Sequence, residues 1–186
     1  MIYYIADLHL GHERVIQFSD RPFSSLEEMD RMLIANWRAV VRPEDEVYIL
    51  GDLIYKSNDP EKYLKQLTGK LHLIKGNHDT YIKKTECQKY FESIDETKQI
   101  ADNGRRVFMS HYPHAEWPGY YRNAIHLFGH IHNRENDAYH IMQKLPNNYN
   151  VGADVLGFTP RTLDRIIAMF GEKPRRESCE NISEDE

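Results

Sequence analysis

The amino-acid sequence predicts an α/β layered domain with a mixed sheet system, and three observations carry the prediction. Apolar runs of strand length recur along the chain, and the early ones are separated by segments with helical spacing. An Asn103-Gly104 pair between two apolar runs then gives a hairpin signal in the second half. Strands alternate with helices first, and antiparallel pairing is expected to dominate later.

The first run, residues 2–6, is rich in Ile and Tyr and ends at Asp7-Leu8-His9-Leu10-Gly11-His12. A helix is expected from Ser25, which forms a capping box with Glu28. Leu26, Met29, Leu33, Trp37 and Val40 give that helix one apolar face, and Arg42-Pro43 stops it. Residues 47–50 form a second strand that stops at Gly51-Asp52. Asp59-Pro60 opens another helix, closed by Gly69. Residues 71–74 form a third strand, running into Gly76-Asn77-His78-Asp79. From about residue 90 to 110 the pattern is that of β-strands, the last ending on His111. An irregular aromatic loop follows over residues 112–121, and then a strand over 124–128 that ends at Gly129-His130-Ile131-His132. Residues 139–142 and 149–151 are expected to add short strands. Thr159-Pro160 should cap a last helix with Leu163, Ile166, Ile167 and Phe170 on its apolar face and Gly171 at its end.

At 186 residues the chain fits one domain, expected over residues 1–171, with a charged tail over 172–186 that reads as disordered. No apolar run approaches the roughly 20 residues of a membrane span, and no basic segment precedes the first strand as a secretory signal would require. The two cysteines, Cys87 and Cys179, are far apart, so a disulfide framework is not expected and a cytoplasmic location is. A formal net charge of −5 argues against holding long nucleic acid by charge.

The ten histidines direct the functional reading. In layered α/β folds ligands collect beyond the carboxyl ends of the strands, and there the sequence sets Asp7, His9, Asp52, Asn77, His78, His111, His130 and His132. Carboxylate, imidazole and amide oxygen form a mixed donor set that suits manganese, iron or zinc better than magnesium or calcium. Residues two apart on an extended segment point the same way, so Asp7-x-His9 and His130-x-His132 can each present both side chains to one site. Each piece alone also has a structural reading: a turn, a strand exit, or an Asx-turn at Asn77-His78-Asp79. Their conjunction is what points to metal. These eight candidates exceed the needs of one ion, and two ions sharing a carboxylate would use seven of them.

In this order, Asp-x-His, Gly-Asp, Gly-Asn-His-Asp, a later His and Gly-His-x-His resemble the calcineurin-like metallophosphoesterase superfamily. The opening motif, residues 6–12, and the small size resemble its compact bacterial and phage members. The resemblance implies a sandwich of two mixed β-sheets flanked by helices. It implies one divalent ion on Asp7, His9 and His132, a second on Asn77, His111 and His130, and Asp52 bridging both, with manganese foremost and iron, zinc or nickel as alternatives. It implies hydrolysis of a phosphate ester, a phosphodiester for preference, by a water activated between the ions. His78 is expected near the leaving oxygen. Asp79 is expected either to orient that imidazole or to cap a helix. The alternatives are a phosphomonoesterase or nuclease on the same site, or a non-catalytic scaffold of the same fold, such as the retromer subunit.

Substrate contacts are expected from the loops. His12 reads either as a phosphate contact or as a solvated loop residue. Trp117, Tyr120, Tyr121 and Arg122 read either as a platform for a nucleotide-like substrate or as packing against the domain or a second subunit of a homo-oligomer. Arg134, just after the last ligand pair, is the other candidate for phosphate.

Overall fold

The computed structural model describes residues 1–174, so most of the expected tail lies outside the described residues. Two four-stranded sheets lie face to face. The first is formed by β1 (Ile2–Ile5), β2 (Glu46–Ile49), β3 (Lys70–Ile74) and β4 (Phe91–Asp95), in that order. The second is formed by β5 (Thr97–Asp102), β6 (Arg105–Ser110), β7 (Ile125–Phe128) and β8 (Asn148–Asn150), again in chain order. The helices are α1 (Glu13–Phe18), α2 (Leu26–Val40), α3 (Glu61–Leu64), α4 (Thr85–Gln88), α5 (Asp137–Gln143) and α6 (Leu163–Phe170).

The period-2 alternation of each strand builds three cores. Tyr4, Ala6, Tyr48, Leu50 and Ile74 of the first sheet meet Val107, Met109, Ile125, Leu127, Tyr149 and Val151 of the second. On its other face the first sheet turns Tyr3, Ile5, Val47, Ile49, Leu71 and Leu73 towards Met29, Leu33, Ile34 and Trp37 of α2. Phe108 and Phe128 leave the outer face of the second sheet to pack with Trp117, Ala124, Ile131 and Met142.

Pairing in the later strands departs from expectation. Among the described strands only β5 and β6 pair antiparallel, across the Asn103-Gly104 turn where both residues have positive φ; β6–β7 and β7–β8 are parallel, as is the whole first sheet. The connections that carry the chain back between these strands hold α5 and an irregular loop, which the sequence pattern did not present as crossovers. Residues 139–142 are the middle of helix α5, because Asn136 caps it by accepting a hydrogen bond from Tyr139 N–H. Helix α3 is a single turn ending at Leu64, so Gly69 does not close it. Thr162, not Thr159, is the N-cap of α6. The capping box at α2 is one-sided: Ser25 accepts from Glu28 N–H, while the Glu28 carboxylate turns back to Ser24. Helix α1, with one buried side chain, had no clear periodic signal.

Parallel pairing has one consequence that decides the site. It brings the carboxyl ends of β1, β2 and β3 together along one sheet and those of β6, β7 and β8 together along the other. Among the described residues no helix is long and apolar enough to cross a membrane.

Candidate metal centre

The residues that leave these strand ends do so in an unusual backbone state. Asp7, His9, Asp52, His130 and His132 have φ of 56°, 53°, 54°, 69° and 52°. The left-handed region costs an L-residue about 1–2 kcal/mol, and such strain gathers where side chains must be aimed. The Asp7-x-His9 and His130-x-His132 pairs are therefore not extended as expected. They share a target because each member sits in a left-handed turn.

Those turns are fixed from beneath by two groups absent from the motif. Arg21, buried, donates to the carbonyls of Asp7 at 2.6 Å and Leu8 at 2.8 Å, and pairs with Asp154 at 2.8 Å. Asp154 in turn accepts from His132 Nδ1 at 2.7 Å. Burial opposes the His132 imidazolium, but the Asp154 hydrogen bond and the nearby Asp7 charge outweigh it and raise its pKa. Asp154 follows β8 and so obeys the same strand-end rule as the others, which could have found it. Arg21 carries no such signal.

Asp79 takes neither role expected for it. Its carboxylate accepts from the backbone N–H groups of Asp52 at 2.8 Å, Leu53 at 3.0 Å and Gly76 at 2.8 Å, and makes no capping bond to the turn that follows. It stitches the β2 and β3 exits together, and the His78 imidazole is not its partner. Gly76 allows that closeness: a Cβ there would run into the Asp52 carboxylate. At Gly129 a Cβ would lie 2.6 Å from Asp7 Oδ2.

The predicted ligand set converges. Asp52 Oδ2 lies 3.6 Å from both His9 Nε2 and His111 Nε2, and its other oxygen accepts from His78 N–H at 2.8 Å. His111 Nε2 is 3.1 Å from Asn77 Oδ1 and 3.3 Å from His130 Nδ1. Ligand atoms of Asp7, His9 and His132 lie within 4.8 Å of one another, as do those of Asp7, Asp52 and His111. Asp7 Oδ2 accepts from His130 N–H at 2.8 Å.

The chemistry of these donors suits cations. His111 gives Nδ1–H to the Leu50 carbonyl at 2.8 Å, so in the neutral ring Nε2 aims a lone pair at the oxygens of Asn77 and Asp52. Several acceptors thus crowd one point, an arrangement that a cation would relieve. Among the described residues five buried side-chain polar atoms have no hydrogen-bond partner, and four of them belong here: Asp7 Oδ1, both nitrogens of His9, and His12 Nδ1. Burial pushes Asp7 up to about 6 and holds His9 and His130 below the usual imidazole range. Neutral imidazole is the form that binds a metal ion.

A cleft of about 330 Å³ opens over this cluster. His78 lines it together with His12, Arg14, Phe18, Tyr55 and Arg134. His12 stacks on Tyr55 with ring centroids 3.6 Å apart, and burial lowers its pKa to about 4, so it is not a solvated loop residue. Arg122 does not line the cleft; it borders two other cavities. Of the aromatic loop, Trp117 is buried and donates to the Ala124 carbonyl at 2.9 Å, with Tyr120 against it. These two pack on the domain. Tyr112 alone reaches the cluster, its hydroxyl 3.2 Å from Asn77 Oδ1.

Comparison with known proteins places these features in a wider set. Residues 1–150 match the calcineurin-like phosphoesterase superfamily domain. The chain is 34% identical over 172 residues to the uncharacterized protein MJ1445 of Methanocaldococcus jannaschii, covering 91% of this chain and 90% of the relative. It is 26% identical over 184 residues to the Gene 66 protein of Mycobacterium phage L5, covering 83% of this chain and 87% of that one. Among solved structures, AQ665 of Aquifex aeolicus, a protein of unknown function, superposes with a TM-score of 0.73 at 26% identity, covering 91% of this chain and 98% of that chain.

Proposed function

The chain belongs to the calcineurin-like phosphoesterase superfamily, and from that premise we propose that it is a dinuclear-metal phosphoesterase that prefers a phosphodiester. The observation that carries this reading is Asp52 Oδ2, equidistant at 3.6 Å from an imidazole of each donor group. Asp7, His9 and His132 would hold one divalent ion, Asn77, His111 and His130 the other, and Asp52 both. Manganese is the metal of first choice for this donor set, with iron, zinc and nickel as competitors. Such a pair of ions supplies Lewis acidity at the phosphoryl group and an activated water near neutral pH.

The remaining residues act through their own chemistry. His78 faces the cleft on a backbone tied to Asp52, and its imidazole donates a proton to, or stabilises, the leaving oxygen. Asp79 is a positioning residue, since it clamps the loops that carry Asp52 and Asn77. Arg134 and Arg14 supply guanidinium forks at the cleft rim for non-bridging oxygens, and the His12–Tyr55 stack forms a flat wall for the leaving group. The free, buried Cys87 suits a reducing cytoplasm. The retained donor set favours an enzyme over a scaffold.

Hydrolysis of bis-nitrophenyl and mononitrophenyl phosphate with added Mn²⁺ tests the reading. The diester should turn over faster, and Asp52→Ala should lower kcat/KM by about 10³-fold or more, beyond what one lost transition-state donor costs. His78→Ala should keep its metal and lose roughly 10²-fold in kcat, with a larger loss on an alkyl ester, whose leaving oxygen needs a proton more than nitrophenolate does. Absence of turnover on both esters would contradict the enzyme reading, and an active Asp52→Ala protein would contradict the bridging role.

A further inference from the structure

At the opposite end of the second sheet from the metal cluster lies a cavity of about 400 Å³. It is bordered by Arg105 and Arg106 at the start of β6, Arg122, Lys173, and the apolar side chains Ile125 and Ile167, with the Tyr149 ring between them. Strand β6 runs from this cavity to Ser110, just before His111, so the five residue steps from Arg106 to His111 separate the two places by about 16 Å. None of the cavity's lining residues lines the catalytic cleft.

Its charge runs against that of the chain. Acidic residues outnumber basic ones by 29 to 24 in the whole sequence, yet the ionisable groups at the cavity other than tyrosine are four cations and one carboxylate, Glu172. Arg105 is already committed to Asp164 at 2.6 Å. Arg106 and Arg122 are exposed and have no carboxylate partner among the described residues. The Lys173 ammonium meets no acid either: it donates to the Asn148 amide oxygen at 3.2 Å and sits over the Tyr149 ring at 5.9 Å, and burial lowers its pKa. Among the described residues Arg106, Arg122 and Lys173 reach one concavity from three separate segments against the single carboxylate of Glu172, an excess of positive charge that favours an anion. The walls are fixed. Asn147 donates to Asn123 at 3.2 Å, and Tyr149 is tied to Gly171 at 3.3 Å and to Lys173 N–H at 3.3 Å.

We propose that this cavity is a second ligand site, for a small organic polyphosphate of nucleotide size. The volume falls at the small-ligand end of the usual range of roughly 300–1,000 Å³, larger than one phosphate fills. The cations lie on different walls, so one phosphoryl group does not satisfy them all, and guanidinium forks suit phosphate oxygens. Ile125, Ile167 and the Tyr149 ring give the organic body an apolar seat. The proposal stands independently of the reading of the cleft.

Calorimetric titration of the full-length, Mn²⁺-loaded chain with a methylene-bridged, non-hydrolysable analogue of adenosine diphosphate tests it. Binding should weaken about ten-fold or more in the Arg106→Glu/Arg122→Glu variant, since charge-assisted hydrogen bonds to the phosphates are lost and repulsion replaces them. The loss should be clearly smaller in Arg106→Lys/Arg122→Lys, which keeps both charges but not the forked geometry. Should the double reversal impair folding, as judged by its thermal melt, Arg106→Glu alone gives the same reading. Equal affinity in wild type and charge-reversed protein would put the nucleotide elsewhere and overturn the proposal, as would no binding at all. Tighter binding of a short single-stranded RNA than of the diphosphate analogue, lost in the same variant, would make this a nucleic-acid surface instead and overturn it too.

Discussion

Between the two sheets, Tyr4, Leu50, Ile74, Met109 and Leu127 fill the interior with apolar side chains on ordinary strand backbone. A few residues further along the same strands, Asp7, Asp52, His130 and His132 stand in left-handed turns and crowd carboxylates against imidazoles. The strand bodies lower the free energy of the fold by burying apolar surface. Their ends raise it, through backbone strain, desolvated carboxylates and crowded acceptors. The contrast teaches that the sandwich is the source of stability and the strand ends are where that stability is used to hold donors in place. Separate changes to body and end should therefore move different observables.

Asp154→Asn should have the largest combined effect, because it strikes the support beneath the end. His132 loses its anionic partner, and metal affinity should fall about 10–100-fold. The buried Arg21 guanidinium also loses its counter-charge, which should destabilise the fold by roughly 3 kcal/mol. Metal titration and denaturant unfolding of the same variant check both. Activity at saturating Mn²⁺ should survive, which separates support from ligation.

Leu127→Ala is the matching change in a strand body. Leu127 is fully buried between the sheets, and its truncation should cost about 2–5 kcal/mol. Below its lowered melting temperature, kcat/KM should stay close to that of the native protein. Equal loss of metal binding in this variant would erase the distinction between body and end.

Asp7→Asn should act in the opposite sense on stability. Burial raises the Asp7 carboxyl from 3.8 to about 6. The fold thus binds that proton more tightly than the unfolded chain does, so stability is fullest below pH ~4 and is lost as pH rises through about 6. With metal removed by chelation, Asp7→Asn should be more stable than native protein at pH 7.5 by roughly 1–3 kcal/mol. The two should converge near pH 4. Activity should be lost although the fold gains.

How much of this was legible follows from the same contrast. Most strand positions, the α2 face and the hairpin turn at Asn103-Gly104 rest on local periodicity and turn chemistry, which the sequence displays directly, whereas the run at 139–142, expected as a strand, is helix α5. Parallel pairing of β6, β7 and β8 does not, because it depends on which distant runs meet. The residues expected as ligands were visible because each stands at a strand exit, and the geometry brings all seven together. Asp79 was singled out, but for the wrong partner: its neighbour in sequence is His78, while its hydrogen bonds run to backbone 26 and 27 residues away as well as to Gly76. Asp154 stands just past a strand end and could have been found by the same rule, whereas Arg21 acts through a tertiary contact 133 residues away that no local pattern announces.

The central claim is that these strand ends hold two ions through one shared carboxylate. Crystals of the Mn²⁺-loaded protein, with anomalous differences recorded at the manganese edge, test it most directly. The account predicts two peaks about 3.5–4 Å apart, one beside Asp7, His9 and His132, the other beside Asn77, His111 and His130, with Asp52 Oδ2 between them. A single peak, or two that do not share Asp52, would contradict it.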